Sequence, residues 1–296
     1  MKKTLLLTLL ALPVLAFGQA TTVFNEAFAS GQRMNFSAGT SAQWYTSSSV
    51  GNLVEGTGFY QQNTGTAGRQ LLGYFTAPGN GVTIAQNQQL IFTFTVTLNT
   101  AGADFGVGDK WRVGLFDSSA GSRVSADNTG GTNTTVLPFE NYKGYGSFLA
   151  PGANAETSAK ILERTTLTGQ PLIASGTPYT TVGDTIAAQA MTAGSPYVGT
   201  FSIGRDANDA LYLTMTYTGV GLNNYTMSVV DTSAATFSFD TFAFIAGSNA
   251  VANFAISQAL VQTAPFAPIP EPSTYAAIAG ALSLVGVMVW RRRRQT

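Results

Sequence analysis

The chain has 296 residues, with equal numbers of basic and acidic side chains and with no histidine or cysteine. The missing residue types exclude a Ser-His-Asp triad, a Cys-His nucleophile, a disulfide framework and every zinc site built from imidazole or thiolate. The balanced total hides an asymmetry, because residues 21–268 carry nine basic and 14 acidic side chains, a net charge of −5. This is the wrong sign for binding nucleic acid, so we expect no nucleic-acid partner.

The start of the chain is typical of a secretory signal peptide. Two lysines precede a largely apolar run over residues 5–17, and small residues follow at Gly18 and Ala20. This order predicts a signal peptide over residues 1–20. Cleavage after Gly18 and cleavage after Ala20 both fit the pattern. A retained membrane anchor is the alternative, but the apolar run is short for a membrane span.

The body of the chain, residues 21–263, alternates between apolar and polar side chains. In residues 89–98, every second residue from Leu90 to Leu98 is apolar, and threonine fills most positions between them. A period of two is typical of a strand that is half-buried on a core. Similar patterns predict strands over residues 23–28, 111–116, 197–204, 211–217, 225–230, 237–245 and 253–261.

Many short strands separated by turns rich in glycine, asparagine and serine predict an all-β fold, an antiparallel β-sandwich or jelly roll in a single domain. Residues 206–209 are predicted to form a polar turn that joins two of the strands into a hairpin. Only residues 155–166 have helical character, and this stretch is short. The overall architecture predicted for the body is loosely similar to that of concanavalin-like jelly rolls, which often carry sugar-binding sites. Because the similarity is one of architecture, it does not identify any binding residue in this chain.

Any catalysis would have to rest on carboxylates, as in a glycosidase that uses two acids at a suitable separation. Glu140, Glu163 and Asp240 are the candidates considered, and no feature pairs any two of them. For Glu140 and Glu163, a solvated carboxylate is the default interpretation. Asp240 alternates with Ser238 and Phe242 and is expected at a sheet edge or facing solvent. The sequence therefore predicts no catalytic residue and no cofactor.

One predicted turn carries oxygen atoms that could bind calcium, those of Asp206, Asn208 and Asp209. The pattern lacks the distal glutamate of an EF-hand, and a plain β-turn is the simpler interpretation. We therefore expect no metal site.

Four aromatic residues are candidates for stacking on sugar rings: Trp44, Tyr45, Tyr142 and Tyr145. Aromatic faces pack against the apolar faces of sugars, while polar neighbours can bind the hydroxyls. The alternative is that these side chains fill the core, as most large aromatic residues of a β-protein do.

The last 27 residues combine three features in order. A Pro-Glu-Pro tripeptide comes first, at residues 270–272. An uncharged stretch of 19 residues then runs from Pro272 to Trp290, and a helix of this length spans about 28 Å, close to the ~30 Å of a bilayer core. Residues 273–290 are therefore predicted to form a transmembrane helix. Four arginines at residues 291–294 fix its orientation, because basic residues stay on the cytoplasmic side.

This tail resembles the PEP-CTERM sorting domain of Gram-negative bacteria, whose members tend to accompany extracellular polysaccharide production. The resemblance implies that a membrane-embedded processing enzyme, exosortase, recognises Pro270, Glu271 and Pro272. It also implies that the chain is retained in the membrane by the arginine cluster, which consists of Arg291, Arg292, Arg293 and Arg294. The sorting segment covers residues 270–296, and residues 264–269 are expected to form a linker between the body and this segment.

Together these patterns predict an exported, non-enzymatic protein of the cell surface or extracellular matrix. The C-terminal helix anchors it in the inner membrane, and processing then delivers it to the surface or releases it. The expected partners are an exosortase-type enzyme, the membrane and an extracellular polysaccharide. A carbohydrate-binding module of the same matrix is the alternative, and a secreted enzyme that degrades polysaccharide through carboxylates or tyrosines is a weaker one.

Overall fold

The computed structural model describes residues 19–46, 53–63, 69–99, 111–127, 140–152, 158–165, 172–173, 179–246 and 253–266, and in the tail Ser283, Val287, Arg291, Arg292 and Arg294. The predicted signal peptide lies outside these ranges except for its last two residues. The predicted sorting tripeptide and most of the predicted membrane helix lie outside them as well. Among the residues described, no helix combines the length and the apolar character that crossing a membrane requires.

The larger of two sheets is built from eight strands, which are β1 (Thr21–Glu26), β3 (Leu53–Gly56), β4 (Phe59–Asn63), β7 (Gln88–Leu98), β12 (Pro196–Arg205), β13 (Leu211–Gly219), β14 (Tyr225–Asp231) and β17 (Asn253–Pro265). The strand order is β14-β13-β12-β7-β17-β4-β3. β1 pairs with the second half of β17, beside the part that pairs with β4.

The smaller sheet has seven strands, which are β2 (Gln43–Thr46), β5 (Arg69–Tyr74), β8 (Trp111–Asp117), β9 (Lys143–Leu149), β10 (Ser158–Arg164), β11 (Tyr179–Ala187) and β16 (Thr241–Ala246). Their order is β11-β10-β9-β8-β16-β5-β2, and a short pair is formed by β6 (Val82–Thr83) and β15 (Ser238–Phe239). Every described strand pair is antiparallel, so the predicted antiparallel β-sandwich is confirmed.

Most of the predicted strands are confirmed with small changes at their ends. The run at residues 89–98 is β7, and the runs at 197–204 and 211–217 are β12 and β13, which pair as the predicted hairpin. The predicted strand at 237–245 is divided, because the chain leaves β15 at Asp240 and then enters β16.

The helical expectation for residues 155–166 is wrong, since most of this stretch forms β10. This strand is hydrogen-bonded to β9 on one side and to β11 on the other. Its side chains alternate in direction: Ala159 and Ile161 pack into the core between the sheets, and Leu162 packs on the outer side. Pairing with two neighbours outweighs the weak helical preference of a short stretch.

The core between the two sheets is built around aromatic rings. Phe242 of β16 lies at its centre, with the ring centroid of Phe92 on the opposite sheet at 5.1 Å. The centroids of Trp44 and Phe75 lie 4.8 Å and 5.5 Å from that of Phe242. A Cβ atom at Gly73 of β5 would lie 2.3 Å from Phe242 Cε2, so only glycine leaves room for this ring.

A second apolar cluster covers the outer side of the smaller sheet. Tyr74, Phe116, Leu162 and Ala243 contribute to it from the strands, and Leu172 contributes from a loop. Since the smaller sheet is buried on both sides, its strands carry apolar side chains at consecutive positions, as in the fully buried β8 and β16.

Asp240 binds the loop that follows β8, and this loop packs on the outer cluster. Its carboxylate accepts hydrogen bonds from Ser118 N at 3.0 Å, Thr241 Oγ1 at 2.6 Å and Arg123 Nη2 at 2.9 Å. Asp240 is 2 % exposed. The expectation that it lies at a sheet edge or faces solvent is therefore wrong, because the loop after β8 folds back and supplies an arginine and a serine to it.

Arg33 has a similar role in the loop that follows β1. Its two Nη atoms donate to the Asp127 carboxylate at 2.9 Å and 2.6 Å, and its Nε donates to Glu55 Oε1 at 2.7 Å. A planar guanidinium fits a carboxylate in this two-point geometry. The ion cluster therefore links three segments that are distant in sequence.

The first and last strands of the sandwich lie side by side. Thr21 of β1 is paired with Thr263 of β17, so the two ends of the described sandwich leave at the same pole. β17 runs on to Pro265, two residues into the predicted linker, and Phe266 N then donates to Asn87 O at 2.7 Å.

Replacing Asp240 with asparagine is expected to lower the free energy of unfolding by about 3 kcal/mol, because the change leaves the mostly buried Arg123 without its counter-charge. Urea denaturation followed by circular dichroism measures this loss. The matched control is Asp184→Asn, which removes an exposed carboxylate from β11 and should change stability by no more than about 0.5 kcal/mol. Equal effects of the two variants would contradict the role assigned to Asp240.

Candidate functional site

The four aromatic residues proposed from the sequence as sugar-stacking candidates are buried. Trp44, Tyr142 and Tyr145 have no exposed surface, and Tyr45 is 4 % exposed. Trp44 and Tyr145 belong to the core between the sheets, whereas Tyr45 and Tyr142 belong to the outer cluster. Burial of this kind is typical of core packing, and it leaves none of these four rings with a face open to a ligand.

The hydroxyls of two of these tyrosines are hydrogen-bonded inside the protein. Tyr142 shares a 2.7 Å hydrogen bond with Tyr74 and donates to Ser122 O at 2.9 Å. Tyr145 donates to Asp231 Oδ2 at 2.7 Å. Burial raises the pKa of Tyr142 to about 12, and burial and the bond to Asp231 raise the pKa of Tyr145 as well. Both hydroxyls therefore stay protonated at neutral pH, which disfavours a tyrosinate nucleophile.

Glu163 lies close to a second carboxylate, that of Asp231, which the sequence did not single out. The Tyr145 hydroxyl that donates to Asp231 is also 3.4 Å from Glu163 Oε1, and Ala235 N donates to the same oxygen at 2.9 Å. Burial raises the pKa of Glu163, the hydrogen bond from Ala235 opposes this shift, and the charge of Asp231 adds to it. The pair forms only because β14 packs against β10, so no local sequence signal marks it.

The structure gives the other two acids separate partners. Asp240 is bound by Arg123, as described above. Glu140 is half-buried in the turn before β9, and its backbone carbonyl accepts a hydrogen bond from Arg164 Nη2 at 3.3 Å. The three acids examined in the sequence are therefore not assembled around one site.

The turn at residues 206–209 is held by its own hydrogen bonds. Asp206 Oδ1 accepts from Asn208 N at 2.8 Å and from Ala210 N at 2.9 Å. Asp209 forms a salt bridge with Arg205 at 2.8 Å. In the described part of the chain, no three acidic, imidazole or thiolate side chains lie close enough together to hold a metal ion.

The outer face of the larger sheet is uncharged and rich in hydroxyl groups. Strand pairing aligns the outward threonines and serines of four neighbouring strands into two rows, which are Thr226–Thr216–Thr200–Thr93 and Ser228–Thr214–Ser202. Neighbouring hydroxyls approach to 3.1 Å in the first row and 3.0 Å in the second. Along these strands and β17, all fully described, no outward position carries a charged side chain.

These hydroxyl rows could not be read from the sequence. The alternation of residues predicts that threonines point outward, but only the register between strands decides which of them become neighbours. A hydroxyl group can donate one hydrogen bond and accept two, so a hydroxyl that is paired within a row retains capacity for a ligand.

A cleft of about 390 Å³ opens between β1 and the loop that follows it. The loop is held on the strand by a hydrogen bond of 2.8 Å from Asn25 N to Gly39 O, and it closes on itself through the bridge between Ser37 and Ser41. Glu26 is among the residues that line the cleft, although it is only 2 % exposed. No local sequence pattern marks this site, because hydroxyl and amide residues are common in any surface loop.

The residues just before the sorting segment are seated on the larger sheet. The ring of Phe266 packs against Tyr212, with the two centroids 5.3 Å apart. A Cβ atom at Gly204 would lie 2.4 Å from Phe266 Cδ2, so glycine is needed below the ring. The chain is therefore held on the larger sheet as far as Phe266.

Residues 268–294 match the family of the PEP-CTERM protein-sorting motif. The tail is a PEP-CTERM sorting segment. Its recognition from the tripeptide, the apolar stretch and the arginines is thereby confirmed, and the motif implies export of the protein. No curated protein matches the chain.

The chain is also similar to solved lectin structures. The metal-free carbohydrate recognition domain of Emp46p is 12% identical with a TM-score of 0.46, and the match covers 74% of this chain and 87% of that one. Peanut lectin is 10% identical with a TM-score of 0.41, covering 83% and 98%. The legume lectin-like domain from Entamoeba histolytica is 10% identical with a TM-score of 0.40, covering 74% and 88%.

Replacing Glu163 with glutamine is expected to raise the melting temperature at pH 7. A carboxyl group whose pKa is raised by folding binds its proton more tightly in the folded state, so stability falls as the pH rises from the ordinary glutamate pKa through the raised one. Glutamine keeps the shape and the acceptor oxygen but has no charge to bury. Thermal unfolding between pH 4 and pH 8 measures the effect, which should vanish at the acidic end. A lower melting temperature at pH 7 would contradict the burial argument.

Proposed function

We propose that the chain is an exported protein that is sorted by its C-terminal segment and presented at the cell surface or in the extracellular matrix. The observation that carries this proposal is the match of residues 268–294 to the PEP-CTERM protein-sorting motif. In this proposal residues 1–20 are a signal peptide, residues 21–263 are the ectodomain, residues 264–269 are a linker and residues 270–296 are the sorting segment.

Within the sorting segment, an exosortase-type membrane enzyme recognises Pro270, Glu271 and Pro272. The two prolines keep this peptide extended, because each removes a backbone donor and disfavours a helix at the residue before it. Residues 273–290 cross the inner membrane, and the arginines at 291–294 hold the chain there until it is processed.

The arrangement of the first and last strands supports this topology. Thr21 follows the proposed signal peptide and is paired with Thr263, which precedes the proposed linker. Both proposed membrane segments therefore join the ectodomain at one pole. This lets the sandwich fold on the outer side of the membrane while either end is still tethered to it.

We assign the ectodomain a non-enzymatic role in a matrix that contains extracellular polysaccharide. The buried carboxylates described above are engaged within the protein, Asp240 with Arg123 and Asp231 with Tyr145. These bonds stabilise loops and the end of the sandwich, which is what a structural protein requires in the absence of disulfides.

Replacing Glu271 with glutamine, or deleting the four arginines at 291–294, is expected to leave the C-terminal segment unprocessed or to change its retention in the membrane. The physical reason is that the recognised peptide loses its charge, or that the helix loses the basic residues that fix its orientation. Cell fractionation and the mass of the mature C-terminus are the measurements. Asp184→Asn serves as the control for loss of a charge elsewhere. If the mass of the mature C-terminus and the cell fraction that holds the protein were unchanged in both tail variants, the sorting proposal would be wrong.

A second candidate function is binding of an extended neutral polysaccharide, and the hydroxyl rows on the larger sheet favour it. Their face carries hydroxyls and amides and no charge, so its chemistry complements a polymer whose own surface is made of hydroxyls. One row crosses four strands and the other three, and neighbouring strands are spaced about 4.8 Å apart, which gives a surface with repeated hydrogen-bonding positions.

The double variant Thr200→Val and Thr216→Val is expected to weaken binding to a neutral polysaccharide about tenfold, since two hydrogen bonds of about 0.5–1.5 kcal/mol each are lost. Valine has nearly the shape of threonine and the same preference for strands. Affinity electrophoresis of the full-length protein through gels that contain hydroxyethyl cellulose measures the change. The matched control is Thr181→Val with Thr185→Val, which removes two exposed hydroxyls from β11. Equal retardation of all three proteins would exclude the hydroxyl rows as the binding surface.

A further inference from the structure

The cleft beside β1 contains a buried carboxylate with an unused oxygen. Glu26 Oε2 accepts hydrogen bonds from Ala42 N at 2.8 Å and from Trp44 Nε1 at 3.4 Å. Nothing in the described part of the chain donates to Oε1, although Glu26 is only 2 % exposed. An ionised carboxylate removed from water in this way is costly unless a partner satisfies it.

Among the described residues, no basic side chain forms a salt bridge with this carboxylate. In the described loop at 27–42, the one basic residue is Arg33, and its guanidinium is committed to Asp127 and Glu55. The lining of the cleft contains no lysine or arginine. The charge of Glu26 also acts on a neighbour, since it adds to the effect of burial in raising the pKa of Tyr60. The lining of the cleft therefore contains one acid and no basic side chain to pair with it.

The other polar side chains that line the cleft are small and uncharged: they are serines, a threonine and asparagines. Ser41 Oγ is buried and has no hydrogen-bond partner among the described residues. Asn25, Asn35 and Ser37 line the same cleft. Amide and hydroxyl groups of this kind can both donate to and accept from the hydroxyls of a ligand. Besides one positive charge, the ligand should therefore carry several hydroxyl groups.

The size of the cleft excludes a bare ion as its intended occupant. Its volume of about 390 Å³ falls within the range of about 300–1,000 Å³ that is usual for small-molecule sites. A divalent cation, by contrast, takes about six to eight closely placed oxygen ligands, with more than one carboxylate in most protein sites. Glu26 is the only acid in the lining of this cleft.

We propose that this cleft binds a polyhydroxylated primary amine, and specifically an amino-sugar unit with a free, protonated amino group. The ammonium group donates to Glu26 Oε1, and the ligand's hydroxyls bind Ser41 and the asparagine side chains. A hydrogen bond between two charged groups is roughly twice as strong as a neutral one, so the amine provides the selectivity. The proposal does not depend on the fate of the tail or on the outer face of the larger sheet.

The test compares three tetrasaccharides of glucosamine, N-acetylglucosamine and glucose, titrated into the full-length protein in detergent at pH 6. Isothermal calorimetry gives the affinities. The fluorescence of Trp44 is a second readout, because its indole donates to the same carboxylate. We expect the glucosamine oligomer to bind at least about tenfold more tightly than the other two.

Glu26→Gln is expected to abolish this preference, because glutamine can still accept from Ala42 N but has no charge. Asp184→Asn removes the same charge from an exposed position of β11 and should keep the preference. If Glu26→Gln does not fold, Asn35→Ala at the exposed rim is used instead, and it should weaken binding of all three sugars while the preference remains.

Three results would overturn the proposal. The first is equal affinity for the three sugars. The second is a preference for glucosamine that Glu26→Gln leaves intact, which would mean that the amine binds to another acid. The third is saturation of the cleft by Ca²⁺ alone, with competition against the sugar, which would make it a cation site.

Discussion

With no cysteine in the chain, the two sheets are held together by the burial of aromatic rings between them. Phe242 contacts rings from both sheets, and the space that it fills exists because residue 73 is glycine. Truncating such a ring to alanine typically costs about 3–5 kcal/mol, a large part of the stability of a domain. Trp44 and Tyr145, two of the four residues considered as sugar ligands, are part of this core, and Tyr45 and Tyr142 are buried in the outer cluster.

Aromatic packing in the interior leaves ligand chemistry to the outer surfaces. The smaller sheet is covered on its outer side by a second cluster, and among its strands the edge strand β11 is the one with several exposed polar side chains. The larger sheet has an outer face on which hydroxyls lie in rows, with Phe266 packed over part of it, and a cleft at its edge beside Glu26. The two proposed binding surfaces therefore differ in chemistry: the outward positions of the hydroxyl rows are uncharged, whereas the cleft contains one acid.

The sequence predicted the parts of the fold that follow from local patterns. Alternation defined β7, β12, β13 and β14, and the polar turn at 206–209 defined a hairpin. The sequence-based prediction was wrong where contacts between distant parts of the chain determine the structure. β10 is a strand because it has neighbours on both sides, and Asp240 is buried because a distant loop brings Arg123 to it. The tail is recognisable because its three features are contiguous, whereas the Glu26 cleft and the hydroxyl rows are assembled by register and loop closure.

The position of β17 has a mechanical consequence in the proposed topology, in which the tail tethers the protein to a membrane. This strand is hydrogen-bonded to β7 along its length and to β1 and β4 on its other side. Hydrogen bonds between antiparallel strands run perpendicular to the strand axis, so a pull along the axis of β17 loads the ladder in shear. A pull between the two ends of the sandwich would instead separate β1 from β17 pair by pair, because Thr21 and Thr263 lie side by side.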